Sequence, residues 1–252
     1  MVEPPRAPTG PAYYARRGGR LADCWTLLHP PYTLWHLSYV VIGAGVARRV
    51  ALTPLVLSVL AFFLAVGVAA HALDERAGRP LGTGFTDRTL EVTAFVALLA
   101  AVALGGYGAF WWDGPDWLLA AAVPVGVVLV VGYNLELFGG RLHNDLTFAL
   151  AWGAFPTVVG FLAQPWSGWS RMPAAAAATC AAAALTHAQR RLSTPARDLR
   201  RRTDSVTGEV RRIDGSVVPV DIPTLLAPLE GALRALSYAV PLLAATLLLT
   251  HV

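Results

Sequence analysis

His71-Ala72-Leu73-Asp74-Glu75-Arg76-Ala77-Gly78-Arg79-Pro80-Leu81-Gly82-Thr83-Gly84 is the stretch on which the reading of this chain turns. A long apolar segment, Val50 to Ala70, runs into it, and the next apolar segment begins beyond it at Glu91. It sets an acid pair, two arginines and three glycines at the mouth of an apolar core. A second polar stretch, Tyr133-Asn134-Leu135-Glu136-Leu137-Phe138-Gly139-Gly140-Arg141-Leu142-His143-Asn144-Asp145, also separates two apolar runs. The two are expected to face each other across the cytosolic mouth of one membrane-embedded cavity.

Composition supports that placing. Of 252 residues, 55% are hydrophobic and only 14% charged, against about a quarter charged in soluble domains. Several apolar runs reach the length needed to cross a bilayer. A chain this short has too little interior to hide nearly every face of its helices from water, so the sequence reads as an integral membrane protein. The net charge of +4 is no nucleic-acid footprint. Its basic residues are all arginine and are confined to particular inter-helix segments, as the orientation rule for membrane proteins expects. Cys24 and Cys180 have neither metal nor redox spacing. No apolar h-region follows Pro4, Pro5, Pro8 and Pro11 within the first twenty residues, so a signal peptide is not expected.

The organisation follows. Residues 1–28 read as a loosely held cytosolic tail with an interfacial segment at its end. Residues 29–187 form the transmembrane core, 188–228 an arginine-rich cytosolic loop, and 229–252 the last transmembrane helix. The expected fold is all-α, a polytopic bundle of about seven spans. The spans run from about Pro31 to Ala47, Val50 to Leu73, Thr89 to Phe110, Trp117 to Tyr133, Leu146 to Leu162, Ala174 to His187 and Leu229 to Thr250. Gly43 and Gly45 allow a close helix neighbour, and Pro156 predicts a kink. Glu209 to Val218 alternates as a small hairpin turning at Asp214-Gly215, or else is a loose loop. With the N-terminus cytosolic, only Arg48, Arg49 and Arg171 fall outside.

On a helix, His71 and Glu75 lie one turn apart and His71 and Asp74 nearly so. Such groups are costly at a membrane interface unless paired or used. A Mg²⁺ ion carrying a phosphate would use them, since it takes one or two carboxylates together with substrate oxygens. Simple pairing of Asp74 and Glu75 with Arg76, Arg79 and Arg88 is the competing reading. Arg79 and the glycine-rich turn after it suit an anion. Asn134, Glu136 and Asp145 are candidate metal ligands, with Arg141 and His143 for an anion or for proton transfer. Ordinary loop polarity is the competing reading there. Some of Tyr32, Trp35, His36, Tyr39, Trp152, Phe155 and Tyr238 could line a lipophilic chamber and stabilise a carbocation with their ring faces. For any one of them, packing is the simpler role. Paired-histidine metal motifs, a Gly-x-Ser-x-Gly elbow and Walker or dinucleotide loops are missing.

These pieces resemble the UbiA superfamily of intramembrane prenyltransferases. The resemblance runs from about His29 to His187. It rests on His29-Pro30-Pro31-Tyr32-Thr33-Leu34-Trp35 with Gly43-Ala44, on the acid cluster followed by Arg79-Pro80-Leu81-Gly82-Thr83-Gly84, and on Tyr133 with Asp145 before a helix carrying Gly153, Pro156 and Gly160. It implies a helical bundle around a lipid-accessible chamber in which Mg²⁺ holds a polyprenyl diphosphate. The implied activity moves the prenyl group to a lipophilic or aromatic acceptor. Carried onto this chain, it makes Asp74, Glu75 and Asp145 the catalytic and Mg²⁺-binding acids, assisted by Glu136 and Asn134. Arg79, Arg141, His71 and His143 attend the diphosphate. The chain departs from the family in its reduced acid motifs and smaller number of spans. A terpene cyclase and a non-catalytic lipid-binding or scaffold protein are the alternatives. The expected partners are an isoprenoid or other lipid and the bilayer, without nucleic acid, and a homo-oligomer stays open.

Overall fold

The structure is a computed structural model that describes residues 10–110 and 116–251. Among the described residues, eight helices make up the bundle. In chain order they are α1 (Arg20–Leu28), α2 (Pro30–Gly45), α3 (Leu52–Gly78), α4 (Asp87–Phe110), α5 (Trp117–Asn134), α6 (Asp145–Leu162), α7 (Met172–Arg201) and α8 (Ile222–Leu249). The strands β1 (Gly208–Arg211) and β2 (Val217–Val220) form an antiparallel hairpin between α7 and α8. Its turn holds Asp214 and the left-handed Gly215, so the alternating pattern is a hairpin and not a loose loop. The expected turn at Asp113 lies outside the described residues, as do Trp111 and Trp112. So does the start of the tail, residues 1–9.

Five helices, α3, α4, α5, α6 and α8, are long and apolar enough to cross a membrane. The sequence reading counts about seven, and the two that fall short do so for different reasons. The first, α2, has 16 residues and is buried in the bundle, with Trp35, Tyr39, Val40 and Ala44 fully enclosed. The second, α7, has 30 residues, but its alanines give way to a strongly basic second half. The chain is an all-α bundle built for a bilayer, with α2 as its central post.

Close approach of α2 to α6 depends on two glycines. A Cβ on Gly43 would stand 2.0 Å from Thr157 O, and one on Gly160 would stand 2.1 Å from Val40 O. Backbones this close are the small-residue packing that membrane helices use in place of hydrophobic drive. At the far end of the bundle, Gln164 Oε1 accepts from Ala51 N at 2.8 Å and Ser167 Oγ accepts from Arg48 N at 2.9 Å. His251 Nε2 meets Gly45 O there, which puts the C-terminal end of α8 opposite the end where α2 begins.

Two helices are locally underwound into π geometry: Phe63–Ala70 within α3 and Leu150–Ala154 within α6. The second π stretch ends two residues before Pro156, where the sequence predicts a kink. Wide turns of this kind loosen the carbonyl ladder and recur at functional sites. Gly67 O and Trp152 O, both within π stretches, are met by Nδ1 of His71 and of His36 at 3.0 Å each.

Three boundaries move. The helix α7 continues through Arg201, so much of the expected arginine-rich loop is helical. Pro195 lies inside it. The last helix starts at Ile222, with Asp221 as its cap accepting from Thr224 N at 2.8 Å. The N-terminal segment from Gly10 is seated on the bundle instead of hanging loose. Arg201 Nε donates to Pro11 O at 3.0 Å, Arg200 Nη1 to Gly10 O at 3.2 Å, and Arg16 and Thr26 exchange two hydrogen bonds.

Candidate functional site

At the end of the bundle where α3 and α5 finish and α6 begins lies a polar cavity of about 170 Å³. Its wall takes His71 and Asp74 from α3, Tyr133 and Asn134 from α5, and Phe148 and Trp152 from α6. His143 joins from the loop between α5 and α6. The two polar stretches singled out from the sequence therefore do meet, through these residues. Tyr32 and His36 on α2 close one side, Gln189, Arg190, Ser193, Arg197 and Arg201 on α7 another, and the Pro11–Tyr14 segment lies across the mouth.

Three histidines are oriented by backbone carbonyls. A carbonyl oxygen only accepts, so the Nδ1 atoms of His36, His71 and His143 carry protons donated to Trp152 O, Gly67 O and Tyr133 O. Each of these rings then has its Nε2 turned away from that carbonyl. His29 joins α1 to α2 in a left-handed conformation, hydrogen bonds with Tyr14 through Nδ1, and lies 4.3 Å from His71, ring centre to ring centre. Burial, then the neighbouring His71, Arg201 and Arg197, push the His29 pKa well below its ordinary value. Burial likewise raises Tyr14 well above the ordinary phenol value.

The predicted site residues divide. Asp74, His71, Asn134 and His143 border the cavity, and no hydrogen bond or ion pair holds the Asp74 carboxylate among the described residues. Glu75 is a correction. It is fully buried and accepts from Leu81 N at 2.9 Å, Thr83 N at 2.8 Å and Thr83 Oγ1 at 2.9 Å. Its carboxylate braces the Arg79–Gly84 loop and does not border the cavity. Arg79 is left-handed, binds Phe85 O and Asp87, and also stays off the cavity wall. Arg141 and Glu136 are exposed, with Glu136 3.9 Å from His143 Nδ1. Asp145 is bound to Arg190 Nε at 3.0 Å and so acts on the cavity through that arginine.

These positions do not suit the Mg²⁺ site expected from Asp74, Glu75, Glu136, Asp145 and Asn134. Both oxygens of Glu75 already accept hydrogen bonds from the loop, and Oδ1 of Asp145 is paired with an arginine. Among the described residues, no three His, Cys, Asp or Glu side chains are grouped to hold a metal ion.

The aromatic expectation also sorts. Trp152, Tyr32 and His36 border the polar cavity, while Trp35 and Tyr39 bond to each other within the core and Tyr238 is exposed. Phe148 stacks on Trp152 at 5.4 Å, and Tyr133 meets the same indole at 4.7 Å. Trp152 and Phe155 further border a second, apolar cavity of about 120 Å³ between α3, α4, α5 and α6, which Gly105, Gly108 and Gly126 keep open.

Compared with family models, with curated proteins and with solved structures, the chain matches none.

The sequence reading missed Gln189, Arg190, Arg197 and Arg201 as cavity residues. Their signal was a helical spacing, 189-190-193-197-201, running on from the alanine helix. Pro195 and the polar composition masked it. Proline costs a helix one hydrogen bond, but packing sustains the turn here.

Proposed function

We propose that the protein holds an isoprenoid-type lipid with a phosphate or diphosphate head, its head in the polar cavity and its chain in the apolar one. The observation that carries this reading is that Trp152 borders both cavities. One amphiphile would then pass from a cationic, hydrogen-bonding compartment into an apolar one around a single indole.

Prenyl transfer is the reaction this arrangement serves best. The bond between the prenyl carbon and the diphosphate oxygen breaks, with its electrons leaving on that oxygen. The nearby guanidinium groups stabilise the charge that develops there. The allylic cation lies against the faces of Trp152, Tyr133 and Phe148. A lipophilic or aromatic acceptor forms the new bond and gives up its proton to an imidazole Nε2, with His71 the residue we assign. The arginine excess at the cavity end, against Arg48, Arg49 and Arg171 at the other, favours a cytosolic cavity and N-terminus in the cell membrane.

A second reading, lipid binding without turnover, is favoured by the commitment of Glu75 and Asp145 to other groups. Incubation of purified protein with a panel of prenyl diphosphates and lipid-extract acceptors separates the two. Donor consumption with a prenylated acceptor supports transfer, and an acceptor-free hydrocarbon marks cyclisation instead. Retention of the donor unchanged leaves binding alone, and failure to bind any of the panel rejects both readings.

A further inference from the structure

Resting on that lipid reading, we propose that the head-group site is built by the arginines of α7 and takes a phosphate or diphosphate directly, without a divalent metal. Arg197 and Arg201 lie one helical turn apart, half-buried, on the cavity wall. Neither makes an ion pair among the described residues. Arg197 Nη2 reaches Thr194 Oγ1 at 3.3 Å, and Arg201 binds Pro11 O through Nε. Like charges at this spacing repel on a helix. A guanidinium taken from water is costly as well, and the Asp74 and Glu75 carboxylates act on Arg201 only through space, without an ion pair. Burial and then the charge of Arg197 lower the Arg201 pKa accordingly. An anion seated between the two would relieve both costs.

The arginines on either side are different. Arg190 is held by Asp145 and Arg200 by Glu230. They are already neutralised, whereas Arg197 and Arg201 are left for a ligand.

Buried polar atoms give an independent sign of the same occupant. The Tyr133 hydroxyl and Gln189 Oε1 belong to residues of the cavity wall that are 4% and 3% exposed, and neither atom has a hydrogen-bond partner among the described residues. Such orphans are uncommon in folded proteins and call for a missing partner. A phosphate oxygen accepts from the tyrosine, and a protonated phosphate oxygen or a water on it donates to the glutamine. Asp74 is the one carboxylate of the predicted metal set left uncommitted on the wall. With a metal it would be a ligand, and without one it repels the anion. The opposite signs make it the deciding residue.

The test measures binding of geranylgeranyl diphosphate, and separately of inorganic diphosphate, to the full chain in lipid nanodiscs with either Mg²⁺ or EDTA. The prenyl form is expected to bind within about twofold in the two conditions. Arg197→Gln and Arg201→Gln are each expected to weaken it by at least about tenfold, the usual scale for losing hydrogen bonds to a charged group. Arg197→Lys should restore part of the loss, which a folding defect would not permit, and exposed Arg141→Gln should change nothing. Asp74→Asn should leave affinity equal or improve it. Binding abolished by EDTA and by Asp74→Asn overturns metal independence and leaves the lipid reading intact. Failure of the prenyl form in both conditions overturns the lipid reading. Equal affinity for inorganic diphosphate would keep the arginine site but assign it a soluble phosphate source.

Discussion

Replacing Glu75 separates a brace from a ligand. The carboxylate is fully buried and accepts three hydrogen bonds, two from the backbone of the Arg79–Gly84 loop and one from the Thr83 hydroxyl. In Glu75→Ala the hydroxyl can turn to another acceptor, but Leu81 N and Thr83 N remain buried without one. Each orphaned donor costs about 1–3 kcal/mol, so the loss is about 2–6 kcal/mol. Even the lower bound is worth roughly 4–8 °C in a chain of this size. Glu75→Gln should be milder, because it keeps one accepting oxygen while turning amide hydrogens toward a donor. Thermal unfolding in one detergent, paired with prenyl-diphosphate binding, reads both effects. The expected result is a lowered melting temperature for both variants, with Gln between Ala and the parent, and binding retained in whatever stays folded. A Gln variant that melts like the parent yet loses binding would refute the brace and return Glu75 to the head-group site.

Three further outcomes follow from the packing and the buried charges. Gly160→Ala forces a Cβ to 2.1 Å from Val40 O, so α2 and α6 must part; overpacking of this kind costs about 1–3 kcal/mol or more, seen as lower yield and melting temperature. Arg200→Ala leaves Glu230, 10% exposed, with only the longer 3.8 Å contact of Arg234, a loss of up to about 3–5 kcal/mol that Arg200→Met with Glu230→Leu should largely recover. His29 has a depressed folded-state pKa, so below about pH 6.5 the unfolded chain binds its proton more readily and the fold loses stability as pH falls. His29→Gln should flatten that part of a melting-temperature profile measured from pH 7.5 to 5.

The membrane class and most helices were legible because apolar run length and turn residues act locally. The meeting of the two polar stretches was legible too, since helix ends on one side of a bilayer have few places to go. What each side chain does there was not. Asp74 and Glu75 are neighbours of one type, yet helical rotation sends one to the cavity and the other beneath a loop that only the folded chain brings back over it. Asp145 was read as a ligand, and its partner Arg190 lies 45 residues away. The length of α7 was hidden because Pro195 argues locally against a helix that tertiary packing maintains. The span count was too high for a related reason: α2 is apolar because it is enclosed by protein, and a hydropathy pattern does not distinguish that from lipid.

A polar cavity within a bilayer bundle has to satisfy its own polar groups, since lipid offers none. Here much of that work falls to ring nitrogens and carbonyls. The π stretches of α3 and α6 each supply a carbonyl to an imidazole, and the carbonyl of Tyr133 serves His143. Each contact ties down one face of a histidine and leaves the other toward the space. Asp145 and Glu230 likewise settle Arg190 and Arg200. The groups left unsettled around the cavity include the Arg197 and Arg201 guanidinium groups, the Asp74 carboxylate, the Tyr133 hydroxyl and the Gln189 amide oxygen, while Gln164 Nε2 is a buried unpartnered atom at the far end of the bundle. Those around the cavity lie on walls that also carry Trp152, the indole bordering the apolar cavity, which is the placing the proposed anionic amphiphile requires.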